Sequence, residues 1–391
     1  VRIIQKSITG LRLVHAAVGL SGWRMKARFL RFVTDAAGEN AGRLHWEKNM
    51  KSIMTGLVAG AALALTVSAA SAQQGSTLAQ VKQRGVLNCG ANTGLAGFGV
   101  PDAQGNWSGL DVDYCRAIAA AIFDDPTKVR FVPLTAQARF TALQSGEVDV
   151  LVRNSTWTMT RDTTLGISFV ATNYYDGQGF MVRKSLGVTS ALKLDGAQVC
   201  TQQGTTTELN LADFFRKNNL KYTPVTFATA DETRSAYEAG RCDAFTTDAS
   251  GLYSERLKLS KADDHIILPE VISKEPLASA VRANGDTQWA NIVKWTHYAM
   301  LNAEELGVSR ANLAQSLQST NPEIRRLLGV ESKLGEGLGL TNDWAARIIR
   351  HVGNYSESFE RNVGAGSPLK ISRSVNALWS NGGLQYAPPI R

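Results

Sequence analysis

Three short clusters of polar residues in this chain have types and spacings suited to gripping a charged small molecule. Arg161 follows the hydroxyl-rich run Ser155-Thr156-Trp157-Thr158-Met159-Thr160. A guanidinium presents a planar fork of donors that matches a carboxylate two bonds at a time, and neighbouring hydroxyls add further donors. An exposed Arg161 paired with Asp162 is the plain alternative. Gln203-Gly204-Thr205-Thr206-Thr207-Glu208 lies between an expected strand and an expected helix. Gly204 would let the backbone approach a ligand, and a helix N-terminus favours an anion. An ordinary cap made by Thr205 or Thr206 with Glu208 is compatible with the same residues. Asp248 ends the apolar stretch Ala244-Phe245, where its carboxylate could accept from an ammonium or cap a helix starting at Ala249. Donors for a carboxylate and an acceptor for an ammonium together complement the zwitterion of an α-amino acid.

The elements that must position these clusters alternate between strand and helix. Apolar spacing predicts strands at 86–91, 129–134 and 148–152, with helices over 109–123 and 138–145 between them. A second unit repeats the pattern. It has strands at 179–183, 197–201, 225–227 and 243–247, and helices over 205–217 and 231–239. Leu143-Gln144-Ser145-Gly146-Glu147-Val148-Asp149 and Tyr237-Glu238-Ala239-Gly240-Arg241-Cys242-Asp243 share a helix end near Gly and an Asp three residues on. Gly146 and Gly240 fit the left-handed position after a helix. Two α/β lobes, meeting around 169–176, would leave a cleft at the carboxyl ends of their strands. A strand at 277–281 could carry the chain back. Helices are expected over 284–305, 345–352 and 356–363, on the first lobe.

The chain has 391 residues, enough for two or three domains, and 44% apolar residues, enough for large cores. Its net charge of +8 suggests nucleic acid, but the distribution argues otherwise. Residues 1–72 hold ten Lys/Arg and three Asp/Glu, leaving 32 basic and 31 acidic residues in the remainder. That near-neutral remainder has no electrostatic footprint for phosphate, so no nucleic-acid partner is expected. From Lys48 the chain reads as a signal peptide: a basic start, an apolar stretch to about Val67, and Ala70-Ser71-Ala72 as the cleavage site. Residues 50–72 are expected to be removed after Ala72, and residues 1–49 are expected to be untranslated or unfolded. Export permits disulfides. Cys89, Cys115, Cys200 and Cys242 allow three pairings; Cys89–Cys115 and Cys200–Cys242 are expected, one per lobe, with four free thiols the alternative. No metal-ligand spacing is present, and no metal or cofactor is expected.

Several motifs in order carry a family resemblance: Gly109-Leu110-Asp111-Val112-Asp113, Ala142 to Asp149, Thr158-Met159-Thr160-Arg161, Gln203-Gly204-Thr205-Thr206, and Asp243-Ala244-Phe245 followed by Asp248. The chain resembles the polar amino-acid-binding proteins of ABC importers, and among them the general L-amino-acid-binding subfamily. That resemblance implies the type II periplasmic binding fold, an α/β architecture of two lobes. Each lobe would be a mixed sheet flanked by helices, with hinge crossovers between them. Lobe 1 would comprise 73–172, lobe 2 173–282, and 283–391 a return to lobe 1 with a C-terminal extension. The resemblance further implies that Arg161, Thr156 and Thr158 hold the α-carboxylate from lobe 1. Thr206, with Gly204 and Thr205 beside it, would complete that grip from lobe 2, and Asp248 would take the ammonium.

Aromatic rings that often sandwich the ligand correspond to Leu95 and Ala136, with Phe98 nearby, and the often acidic position is Asn92. A neutral, ring-poor pocket of broad specificity is expected. The partners would be an L-amino acid and an inner-membrane ABC permease, and the protein would be a periplasmic monomer rather than an enzyme. A periplasmic prephenate or arogenate dehydratase on the same fold is the alternative. Such an enzyme needs a general acid in the cleft, and His265, His297 and His351 fall on none of the expected strand ends.

Overall fold

The computed structural model describes residues 76–391; the expected signal peptide, its cleavage site and residues 1–49 lie outside the described residues. The first part of the chain forms α1 (Thr77–Arg84), β1 (Leu87–Asn92), a short hairpin β2 (Val100–Pro101) and β3 (Trp107–Ser108), then α2 (Leu110–Phe123), β4 (Val129–Leu134), α3 (Arg139–Ser145) and β5 (Val150–Leu151). After α4 (Met159–Thr164), β6 (Ile167–Asp176) leads to β7 (Gln178–Arg183), β8 (Ala197–Gln202), α5 (Thr206–Lys217), β9 (Tyr222–Phe227), α6 (Ala230–Glu238), β10 (Ala244–Asp248), α7 (Ala249–Leu257) and β11 (His265–Ile267). The chain ends with β12 (Glu275–Arg282), the long α8 (Thr287–Glu305) and the helices α9 (Leu313–Ser316), α10 (Pro322–Leu327), α11 (Leu334–Leu338), α12 (Trp344–His351) and α13 (Tyr355–Asn362).

These strands build two five-stranded mixed sheets, ordered β4-β1-β5-β12-β6 and β11-β7-β10-β8-β9. In each, the central strands run parallel and the chain-crossing strands antiparallel. Thus β1 pairs in parallel with β4 and β5, while β12 runs antiparallel to β5 and β6. Likewise β10 is parallel to β8 and antiparallel to β7. The expected α/β fold of two mixed-sheet lobes is therefore present.

The lobe boundary moves from its expected place. β6 stays in the first sheet to Asp176, and Glu275–Arg282 pairs along it, so the second lobe begins at Gln178 and ends before Glu275 rather than running 173–282. The reason is that β6 and β12 are the two hinge strands, each belonging to lobe 1 until its last residue.

The short sequence repeat corresponds to equivalent structure. Asp149 Oδ2 accepts from the Asn88 amide at 2.8 Å, and Asp243 Oδ2 accepts from the Gln198 amide at 2.8 Å. Each Asp thus ties the start of its strand to the neighbouring central strand. Gly146 and Gly240 both have φ of +81°, the left-handed turn that such a helix exit requires.

The disulfides Cys89–Cys115 and Cys200–Cys242 form as expected, one inside each lobe. The C-terminal extension shares the lobe 1 core. Trp289, Ile292, Trp344, Ile348, Tyr355 and Phe359 bury with Leu87, Ile118 and Tyr174. Asp113 of α2 accepts from Ser358 Oγ and Asn362 Nδ2 and pairs with Arg361. No helix among the described residues is long and apolar enough to cross a membrane.

Candidate functional site

The strand ends of both sheets face a cleft of about 760 Å³, counted out to its mouth. Lobe 1 contributes Asn92 to Leu95 after β1, Arg139 from α3, and Arg153, Asn154 and Thr156 after β5. Lobe 2 contributes Thr205 to Thr207 at the start of α5, and Phe245, Thr247 and Asp248 at the end of β10. The lobes touch across it. Thr156 Oγ1 and Thr206 Oγ1 lie 3.3 Å apart, and Lys258 Nζ donates to the Gly94 carbonyl at 2.7 Å.

Asp248 is buried and begins α7, yet its side chain makes no cap bond, so its carboxylate is left facing the cleft. Burial, then the charges of Asp176 and Glu275, hold its pKa well above the usual carboxylate value; Arg139 and Arg161 oppose the rise. The other cleft carboxylates, Asp231 and Glu255, are already ion-paired with Arg234 and Lys258. Asp176, at the end of β6, accepts from the Ser250 amide and hydroxyl of α7. Burial raises its pKa to about 6.

Five of the residues singled out in the sequence line the cleft: Asn92, Thr156, Thr205, Thr206 and Asp248. Arg161, Thr158 and Gly204 do not. Thr158 Oγ1 accepts from the Arg161 amide and so caps α4, a six-residue helix. The Arg161 guanidinium donates to the Thr156 carbonyl at 3.0 Å and lies 5.1 Å over the Phe140 ring, rather than pairing with Asp162. Burial lowers its pKa against the opposing charges of Glu275 and Asp248. Gly204 (φ +74°) sits where the lobes approach: a Cβ there would come within 2.8 Å of Gln137 Cγ.

The expected neutral lining is not what the cleft has. Arg139 and Arg153 are buried guanidinia on its wall, and Phe245 is an aromatic one. Phe98 instead packs edge-on against Tyr174 in the core. Arg139 escaped sequence reading, although it shares the buried face of α3 with Ala142 and Leu143, and a charge at such a position is itself a signal. Glu275 was also missed. Its carboxylate accepts from Thr156 Oγ1 at 2.5 Å, Thr206 Oγ1 at 2.9 Å, Asn210 Nδ2 at 2.6 Å and Ser273 Oγ at 2.7 Å. It gathers donors from both lobes at the hinge.

A cleft between two such lobes agrees with comparison to known proteins. The model of bacterial extracellular solute-binding proteins, family 3, matches residues 87–308. The chain belongs to this family. It is 60% identical over 341 residues to the general L-amino acid-binding periplasmic protein AapJ of Rhizobium johnstonii, covering 87% of this chain and 99% of that one. It is 58% identical to the glutamate/glutamine/aspartate/asparagine-binding protein BztA of Rhodobacter capsulatus, over 87% and 99%. A Brucella ovis periplasmic binding protein solved with glutathione bound superposes with a TM-score of 0.80 at 59% identity, covering 81% of this chain and all of that one. These family members are solute-binding proteins, not enzymes. The dehydratase alternative is not favoured. His265 bonds Tyr237 inside lobe 2, His297 is buried beside Gln385, and His351 meets Asp124, so none reaches the cleft.

Proposed function

We propose that this protein captures L-amino acids outside the cytoplasm and delivers them to the permease of an ABC importer. The observation that carries this reading is the unpartnered, buried Asp248 carboxylate facing guanidinia across a two-lobed cleft. Asp248 accepts from the α-ammonium. Arg161, Thr156 and Thr206 serve the α-carboxylate, for which the Arg161 guanidinium exchanges its bond to the Thr156 carbonyl and the two hydroxyls exchange theirs to Glu275; Thr158 acts by capping the helix that carries Arg161, and Thr205 and Gly204 shape the start of α5. The hydroxyls of Thr156 and Thr206 come from opposite lobes, so a carboxylate between them favours closure. Binding is then a shift of the hinge equilibrium toward the closed form, with no covalent step. Asn92, Leu95 and the small Gly94 and Gly251 line part of the wall and admit varied side chains. Export by a signal peptide cleaved after Ala72 and action as a monomer belong to the same reading. Calorimetric titration of the mature protein with the twenty L-amino acids tests it: several bind, and Asp248→Asn weakens all of them alike. If no amino acid binds, or if Asp248→Asn leaves affinities unchanged, the reading fails.

A further inference from the structure

Glu275 opens the hinge strand β12 and is paired in register with Asp176, the last residue of the hinge strand β6. Its side chain is buried, 1% exposed, and each carboxylate oxygen takes two donors. Oε2 accepts from Thr156 Oγ1 at 2.5 Å and Thr206 Oγ1 at 2.9 Å. Oε1 accepts from Asn210 Nδ2 at 2.6 Å and Ser273 Oγ at 2.7 Å. Thr156 bridges to Leu277 of β12 and so belongs to lobe 1. Thr206 and Asn210 stand one turn apart on α5, in lobe 2. A carboxylate rooted in lobe 1 therefore binds the first turns of α5 twice. Its charge also supports the ionised form of Arg161 against burial. A buried carboxylate with four donors is compensated for leaving water, and hydrogen bonds to an ionised acceptor are the strong kind.

A hydroxyl has one proton to give. While Thr156 and Thr206 give theirs to Glu275, neither can donate to the carboxylate of a ligand. The internal and the incoming carboxylate thus compete for the same two protons, and each draws donors of opposite lobes together.

We infer that Glu275 is an internal latch: its carboxylate substitutes for that of the ligand, holds the lobes together through Thr206 and Asn210, and must release both threonine hydroxyls before an amino acid takes them. The latch rests on these hydrogen bonds; its displacement by an amino acid rests on the reading proposed above. The protein can then close without ligand. Asn210 separates the two roles. It donates to Glu275 but does not line the cleft, so its loss loosens the latch and spares the proposed ligand contacts.

The test is small-angle X-ray scattering of the ligand-free mature protein as wild type, Glu275→Gln and Asn210→Ala, with circular dichroism to establish that each is folded. The amide of Glu275→Gln keeps the side-chain shape but sets a donor against donors. Wild type is expected to be compact, with a radius of gyration that saturating L-glutamate leaves unchanged. Losing one bond to a charged acceptor shifts the ratio of open to closed forms about tenfold or more, so both variants should be larger than wild type and return to its size with L-glutamate. A ligand-free wild type as large as the variants overturns the latch and leaves the amino-acid reading intact. Variants as compact as wild type do the same. Should Glu275→Gln fail to fold, Asn210→Ala decides alone. Expanded variants that neither L-glutamate nor any other L-amino acid compacts, with no calorimetric binding, overturn the amino-acid reading and leave the latch standing.

Discussion

A carboxylate can serve an ammonium only if it is ionised when the ligand arrives, and Asp248 is buried where ionisation is resisted. Its pKa in the empty cleft stands above the ordinary carboxylate value because of burial and the charges of Asp176 and Glu275. An ammonium bound against it favours the ionised form and lowers that pKa. The complex then holds fewer protons than the free protein, so affinity should rise with pH across the interval between the two values. We expect amino-acid binding to release protons, seen as a calorimetric enthalpy that changes between buffers of different ionisation enthalpy. Asp248→Asn should abolish that buffer dependence and cost about 1.5–3 kcal/mol of binding, the scale of a hydrogen bond to a charged group. Wild-type binding without proton release would mean that the ammonium is held elsewhere. Asp248 itself was legible in the sequence because it closes an apolar strand. Arg139 and Glu275 were not, since their roles come from neighbours far along the chain: Asn154 for one, and Thr206 and Asn210 for the other.

Elements were more legible than single side chains. The alternation of strand and helix is written in apolar spacing, and the matched Gly146–Asp149 and Gly240–Asp243 segments turn out to make the same strand-start bond in each lobe. What spacing did not reveal was α4, six residues without an apolar face, or that β12 pairs along the whole length of β6 in the first sheet. Pairing of edge and hinge strands depends on partners that local pattern does not name. The cysteines were informative because export and two lobes together favour local closure. Cys200–Cys242 ties β8 to the approach of β10 across 42 residues, and Cys89–Cys115 ties β1 to α2 across 26. Restricting the unfolded chain over loops of this length is worth about 3.5–4 kcal/mol each. Replacing Cys200 and Cys242 together by Ala should lower unfolding free energy by about that amount in denaturant titrations of the oxidised protein, and a loss below about 1 kcal/mol would contradict this account.

For the whole molecule, the question is what holds two lobes shut and lets them part. Lys258 reaches from the end of α7 to the Gly94 carbonyl on lobe 1 and also pairs with the buried Glu255. Lys258→Met removes a cross-lobe bond while Arg234 continues to pair Glu255. Loss of a bond of about 1 kcal/mol should speed ligand dissociation about fivefold with little effect on association. Stopped-flow measurement on a bound amino acid checks this, and an unchanged dissociation rate would exclude Lys258 as a latch. Among the described residues, no hydrogen bond or ion pair joins the C-terminal extension to lobe 2. Its bonds run to Asp113, Asp124, Asn173, Tyr175 and Glu304, all on lobe 1. A dye, a fused reporter or a surface anchor attached beyond Ala387 would therefore load the stationary jaw only. That makes this end of the chain a natural handle for building a sensor whose moving half swings unencumbered.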